Sequence, residues 1–222
     1  MLSAQSPSHR VYRWQFDRSI RHLEQDALRM GALVEDSCLL AFKGLFERNL
    51  EAARKIDRQD KEIDHFYRQI EMRCIDLIAS ASPVERDLRM LSAFMQLVRD
   101  LERIGDYAEN LGEIAVKLFP YPQPPHMDRL QLMFNRCRAM LALSLAALSG
   151  LDAHMGKEIK RKDDAVDRDY HELYGLLARQ SLPEGSPEPY MLMVLAIHHL
   201  ERIADHATNI GQRVAYIVTG VR

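Results

Sequence analysis

The stretch Leu101-Glu102-Arg103-Ile104-Gly105-Asp106-Tyr107-Ala108-Glu109-Asn110-Leu111-Gly112 returns as Leu200-Glu201-Arg202-Ile203-Ala204-Asp205-His206-Ala207-Thr208-Asn209-Ile210-Gly211, at a constant offset of 99 residues. Apolar residues recur in both at three- and four-residue steps, the pattern of an amphipathic helix. Two copies of one such helix in a single chain mark an internal repeat. A second echo lies upstream of each: Asp60-Lys61-Glu62-Ile63-Asp64 matches Asp163-Asp164-Ala165-Val166-Asp167 at an offset of 103. The four-residue slip between the offsets falls where a connecting loop is free to vary in length.

Working outward, the same periodicity predicts helices over 14–49, 51–79, 83–118, 127–155, 156–180 and 189–219. Ser82, Pro83 and Glu85 read as an N-cap, a proline in the first helical position and a first-turn acid. The run Phe119-Pro120-Tyr121-Pro122-Gln123-Pro124-Pro125 cannot continue a helix, because each proline lacks an amide donor and restricts its predecessor. Three helices, a linker over 120–126 and three more helices is the resulting reading, with one repeat over 13–119 and the other over 127–220.

A chain of 222 residues is long enough to bury a core without staples. With 30 Lys and Arg against 32 Asp and Glu, its net charge of -2 supplies no basic stripe for nucleic acid. Cys38, Cys74 and Cys137 are an odd set without CxxC spacing and are expected as reduced core thiols. No apolar run approaches the ~20 residues of a membrane span, and residues 1–10 lack the apolar centre of a signal peptide, so a cytoplasmic protein is expected.

The carboxylates carry the functional signal. Asp60/Asp64, Asp163/Asp167, Glu102/Asp106 and Glu201/Asp205 all have i, i+4 spacing, which places both acids of a pair on one helix face. At 100° per residue, the core stripe of the third helix (Leu97, Ile104, Ala108) centres roughly 320° around from Leu101, whereas Glu102 and Asp106 lie at roughly 100° and 140°. The acids therefore face away from the core, in company with Arg99, Asn110 and Glu113. His199 and His206 point elsewhere, at roughly 260° and 240°, and read as helix-contact residues. If the second and third helices of each repeat are neighbours, four carboxylates converge on one groove per repeat. Hard oxygen donors on adjacent helices are a known way to hold Mg, Mn, Fe or Zn; the plain alternative is solvated acids on an outer face. No zincin motif, GxSxG, glycine-rich phosphate loop or Cys/His pairing appears, so no catalytic nucleophile is expected.

The two signature stretches, together with Met30-Gly31, Val34-Glu35, Asp60 to Asp64 and Pro83-Val84-Glu85-Arg86-Asp87-Leu88-Arg89, resemble the PhoU family of bacterial phosphate-signalling proteins. The resemblance covers nearly the whole chain beyond the first dozen residues. It implies an all-α fold of two tandem three-helix bundles related by internal pseudo-two-fold symmetry. It also implies metal clusters of iron, zinc, manganese or magnesium held by Asp60, Asp64, Glu102 and Asp106 and by Asp163, Asp167, Glu201 and Asp205. By the same resemblance the protein is a non-enzymatic homodimeric adaptor at the inner face of the membrane. It would restrain phosphate-starvation signalling through the ATPase subunit of the phosphate ABC transporter and a membrane sensor histidine kinase. The second signature departs from the family by placing Gln212 after the asparagine, where acids are usual, so a weaker second cluster is expected. Two other readings remain open: an accessory protein of a low-affinity phosphate permease, and an all-α metal-dependent nucleotide pyrophosphohydrolase.

Overall fold

A computed structural model describes residues 7–81, 83–180 and 186–221. They form six helices, α1 (Pro7–Phe46), α2 (Leu50–Ala81), α3 (Glu85–Leu118), α4 (Met127–Gly150), α5 (Ala153–Arg179) and α6 (Glu188–Thr219), with no strand among the described residues. Helices α1, α2 and α3 pack on one another, as do α4, α5 and α6, and α3 lies along α6 and α1 against α4. The buried residues form one continuous core, running from Met30 and Val34 through Phe94, Leu101 and Ile104 to Phe134, Leu200 and Ile203. All three cysteines are free and buried in it. Burial pushes the Cys38 and Cys74 thiols up to about 12, and Cys137 donates to the Leu200 carbonyl at 3.2 Å.

Three helix ends differ from the periodic reading. Helix α1 starts seven residues earlier, at Pro7. Helix α3 starts at Glu85 rather than Pro83, since the extended Val84 is the residue whose carbonyl accepts the first helical bond, from Leu88 N at 2.9 Å. Pro83 thus stands outside the helix, and Ser82 lies outside the described residues. The boundary between the fourth and fifth helices falls at 150–153 rather than 155–156. Leu151 turns left-handed (φ 46°), and the Asp152 carboxylate caps α5 by accepting from His154 N at 2.8 Å and Met155 N at 3.1 Å. The segment between α3 and α4 is tied down by the Arg48 guanidinium, which donates to the Phe119 and Tyr121 carbonyls.

Gly156 is inside α5 because that is where α5 crosses α6. A Cβ on Gly156 would press on the Gly211 carbonyl oxygen, and one on Gly211 would come within 2.8 Å of the Gly156 carbonyl. The crossing of α2 and α3 is the same contact with different letters. A Cβ on Gly112 there would stand 3.3 Å from the Ala53 carbonyl and 2.7 Å from the tip of Ile56, and 53 and 112 are the repeat counterparts of 156 and 211. The two crossings differ in what a larger residue would strike, backbone in one and a flexible side chain in the other. Gly156→Ala is therefore expected to cost about 3 kcal/mol and Gly112→Ala about 1 kcal/mol, measured by urea unfolding; equal losses would contradict the close backbone crossing of α5 and α6.

Candidate functional site: two carboxylate grooves

In the first repeat the α2–α3 crossing sets Asp60 and Asp64 of α2 beside Glu102 and Asp106 of α3. All four are half-buried along the helix seam and not on an open outer face. Burial, and after it repulsion between neighbouring acids, registers at Asp60 and Glu102. Burial, then the neighbouring Asp106, Asp64 and Asp57 charges, push the Asp60 carboxyl up to about 6. Glu102 is raised by burial and by Asp106, against the partial relief of Arg103. Glu109, one turn on from Asp106, is raised by burial and by Asp60 and Asp57. Two acids have cationic partners at the rim: Asp106 accepts from Arg103 at 2.9 Å, and Asp64 pairs with Arg68. Asp60 has none, and its Oδ1 is buried without a hydrogen-bond donor. That oxygen lies 3.5 Å from the place a Cβ on Gly105 would take. Asn110 braces the helix beneath by donating to the Asp106 carbonyl at 2.9 Å.

The second repeat brings Asp163 and Asp167 of α5 to Glu201 and Asp205 of α6. Asp167 is raised by burial and by Asp163, with Asp205 adding across the seam; Glu201 is raised by burial and by Asp205. Asp205 accepts from Arg202 at 2.7 Å, the counterpart of the Arg103–Asp106 pair. The difference lies at Asp163, which is 2% exposed and accepts from Lys160 Nζ at 2.7 Å.

The eight acids named by the sequence are thus brought together in two sets of four. Carboxylate oxygens crowded at a half-buried seam favour a hard or borderline divalent cation, which would relieve the repulsion and satisfy the donor-less oxygen. The first groove fits such an ion on that ground: Asp60 Oδ1 has lost water and gained nothing in exchange. As the side chains lie, no three His, Cys, Asp or Glu among the described residues stand close enough to hold a metal ion, so binding requires rotamer changes that draw the carboxylates inward.

Periodicity did not reveal the polar junction between the repeats. Asp100 of α3, 7% exposed, accepts from His206 Nδ1 at 2.8 Å and Asn209 Nδ2 at 3.3 Å of α6. The Tyr107 ring lies between His199 and His206, with centroids 5.6 and 5.8 Å away. Positions 100 and 199 are counterparts, as are 107 and 206, so Asp100–His206 and His199–Tyr107 are the same contact made in both directions, as a two-fold relation requires. The histidines are helix-contact residues, as their direction on the helix suggested. The available signal was the mismatch of the repeats at just these positions.

A helical bundle built of two similar halves, each with a seam of paired acids and all on one shared core, is the class of protein that fold and site define. Residues 27–115 and 130–214 match the PhoU domain, and the chain belongs to the PhoU family. It is 53% identical over 207 residues to the phosphate-specific transport system accessory protein PhoU homolog of Synechocystis sp., covering 93% of this chain and 92% of that one. A homolog of the same description from Streptococcus pneumoniae is 33% identical over 212 residues, covering 93% and 96%. Among solved structures, PhoU from Pseudomonas aeruginosa superposes with a TM-score of 0.87 at 27% identity, over 93% of this chain and all of that one. The phosphate transport system regulatory protein PhoU from S. pneumoniae gives 0.83 at 30%, over 93% and 98%.

The raised carboxyls make a signed prediction. A group whose pKa is raised by folding contributes stability when protonated and loses it as pH rises through its folded value. For Asp60 the window runs from its ordinary 3.8 to about 6. The metal-free protein is expected to melt higher at about pH 5.5 than at about pH 7.5. Asp60→Asn is expected to flatten that slope and to add about 1 kcal/mol at neutral pH, after discounting for solvent screening. An unchanged slope in calorimetric melts of the variant would remove Asp60 as the strained acid.

Proposed function

We propose that this protein is a cytoplasmic, metal-binding adaptor that negatively regulates phosphate-starvation signalling and modulates a high-affinity phosphate ABC transporter. The observation that carries the reading is the duplicated carboxylate seam on a scaffold whose relatives are named as accessory proteins of phosphate-specific transport. It is organised as two three-helix repeats, 13–119 and 127–220, about the linker 120–126. The candidate metal ligands are Asp60, Asp64, Glu102 and Asp106 in the first groove, with Asp163, Asp167, Glu201 and Asp205 at the equivalent positions of the second. Iron, zinc, manganese and magnesium all suit these oxygen donors to some degree.

No helix among the described residues is long and apolar enough to cross a membrane, so contact with the membrane runs through partners. Those partners are the transporter's ATPase subunit at the inner face and a membrane sensor histidine kinase, bound by a homodimer through rigid helix faces. The protein is not an enzyme: of the cations near its acids, Arg103, Arg68, Arg202 and Lys160 are engaged by the acids themselves, and Arg99 of the first repeat is replaced by His198 in the second, so the two seams share no cationic cradle for a polyphosphate.

Elemental analysis of protein purified without a chelator is expected to find transition metal, and replacing all eight acids by Ala to remove it. Deleting the gene is expected to leave phosphate-starvation genes switched on in phosphate-rich medium. A deletion without effect on those genes would favour the low-affinity permease accessory, and nucleoside triphosphate hydrolysis that disappears with the acids would favour the pyrophosphohydrolase.

A further inference from the structure

The two grooves are equivalent by position and different in charge. Reading around the seam, the first repeat supplies Asp57, Asp60, Asp64, Glu102, Asp106, Glu109 and Glu113. The counterparts in the second are Lys160, Asp163, Asp167, Glu201, Asp205, Thr208 and Gln212. Seven acids thus face four acids and a lysine. The change at the innermost position is the telling one. Asp60 has a buried oxygen with no donor. Its counterpart Asp163, more deeply buried, has Lys160 Nζ at 2.7 Å. Asp57, in the place of Lys160, points to solvent at 66% exposure and pairs with Lys61 on its own helix.

The backbone does not separate the grooves: a Cβ on Gly105 would press first on Ile63, at 3.2 Å, and stand at ordinary contact distance, 3.5 Å, from Asp60 Oδ1, and its counterpart Ala204 carries that Cβ. Both grooves keep an arginine at the rim, Arg103 or Arg202, so that pair does not separate them. Arg68, which pairs with Asp64, reaches only the outer, one-third-exposed acid of the first groove. A charge pair there is screened and easily exchanged, whereas removing the ammonium from Asp163 would strand a buried carboxylate.

We propose that Lys160 is the resident cation of the second groove, so that the chain takes divalent metal into the first groove alone. The inference rests on the reading of the grooves as metal sites. The Lys160 ammonium, which reaches the innermost carboxylate from a side chain 59% exposed, does the neutralising that a metal ion would do, and it excludes the ion both by charge and by occupying the oxygen that would ligate it. The loss of Glu109 in favour of Thr208 accords with a groove that has no further positive charge to balance; Glu113, replaced by Gln212, pairs with Lys117 on its own helix. The duplicated seam has thus divided its roles: one half responds to metal supply, and the other holds the same helix packing whatever the supply.

The test is equilibrium dialysis of the full metal-free chain against manganese and, separately, zinc, with bound metal counted by elemental analysis and melting followed by circular dichroism. Wild type is expected to bind in one groove, and Asp60→Asn with Asp106→Asn to lose nine-tenths or more of the metal. Asp163→Asn with Asp205→Asn is expected to lose little. Lys160→Asp, the residue at that position in the first repeat, is expected to add a second class of bound metal. Should that variant fold poorly, Lys160→Met removes the charge but keeps the stem; its melting temperature without metal is expected to fall and to be restored by manganese, which leaves the second groove of wild type unchanged. Loss of about half the metal from each double variant, or no added metal in either folded Lys160 variant, would overturn the inference while leaving the metal reading intact. A wild type that binds neither ion would overturn the metal reading itself.

Discussion

The approach of the second helix of each repeat to the third governs the rest of the structure. Where α5 meets α6 it is set by two glycines whose backbones touch, and where α2 meets α3 by Ala53 and Gly112. Residues about two to three turns from such a crossing are carried close together whatever their chemistry, and here they are acids. Two like charges at 4 Å repel by about 1 kcal/mol in water and about 4 kcal/mol at the effective dielectric of a protein surface. The small residues at the crossings thus force a repulsion that the acids alone would avoid by splaying the helices. The burial of Ile56 and Ile63 on one side and Ile159 and Val166 on the other holds the seams closed.

A fold that maintains such repulsion needs positive charge to offset it, and this chain uses several sources. Rim arginines three residues before Asp106 and Asp205 are present in both halves. Lys160 serves the deepest acid of the second half. Asp60, the equivalent acid of the first seam, has a buried oxygen with no hydrogen-bond donor among the described residues; burial first, then the neighbouring acids, make its carboxyl hold its proton to about 6. The contrast between these two positions, alike in backbone and unlike in counter-ion, says more about function than the presence of acids alone, since acids on helices are ordinary surface chemistry.

The halves are joined by apolar packing of α3 on α6 and by one buried polar junction. Asp100 accepts from His206 and Asn209 through one carboxylate oxygen, and Tyr107 packs between the two histidines. A buried carboxylate that loses its partner is costly, so the junction fixes the register in which α3 and α6 meet. A continuous core runs beneath it. The two grooves are consequently mounted on one rigid body, and a partner that docks across both senses them in a fixed relation.

The sequence by itself determined the helices, their order, the duplication and the acid pairs, because helical periodicity and i, i+4 spacing are properties of a single chain segment. It also placed His199 and His206 at a helix contact. Local letters misplaced some ends: Gly156 reads as a helix breaker, yet it is a crossing point, and Asp152 is the cap that starts α5. Only the tertiary structure decided which acids are buried with their counter-ion. Helical spacing lets Lys160 meet Asp163, three residues on along α5. What depends on which side of α5 turns toward α6, and on how near the glycine contact lets the helices come, is the burial of Asp163 to 2% exposure, since the attraction between charges grows as water is excluded.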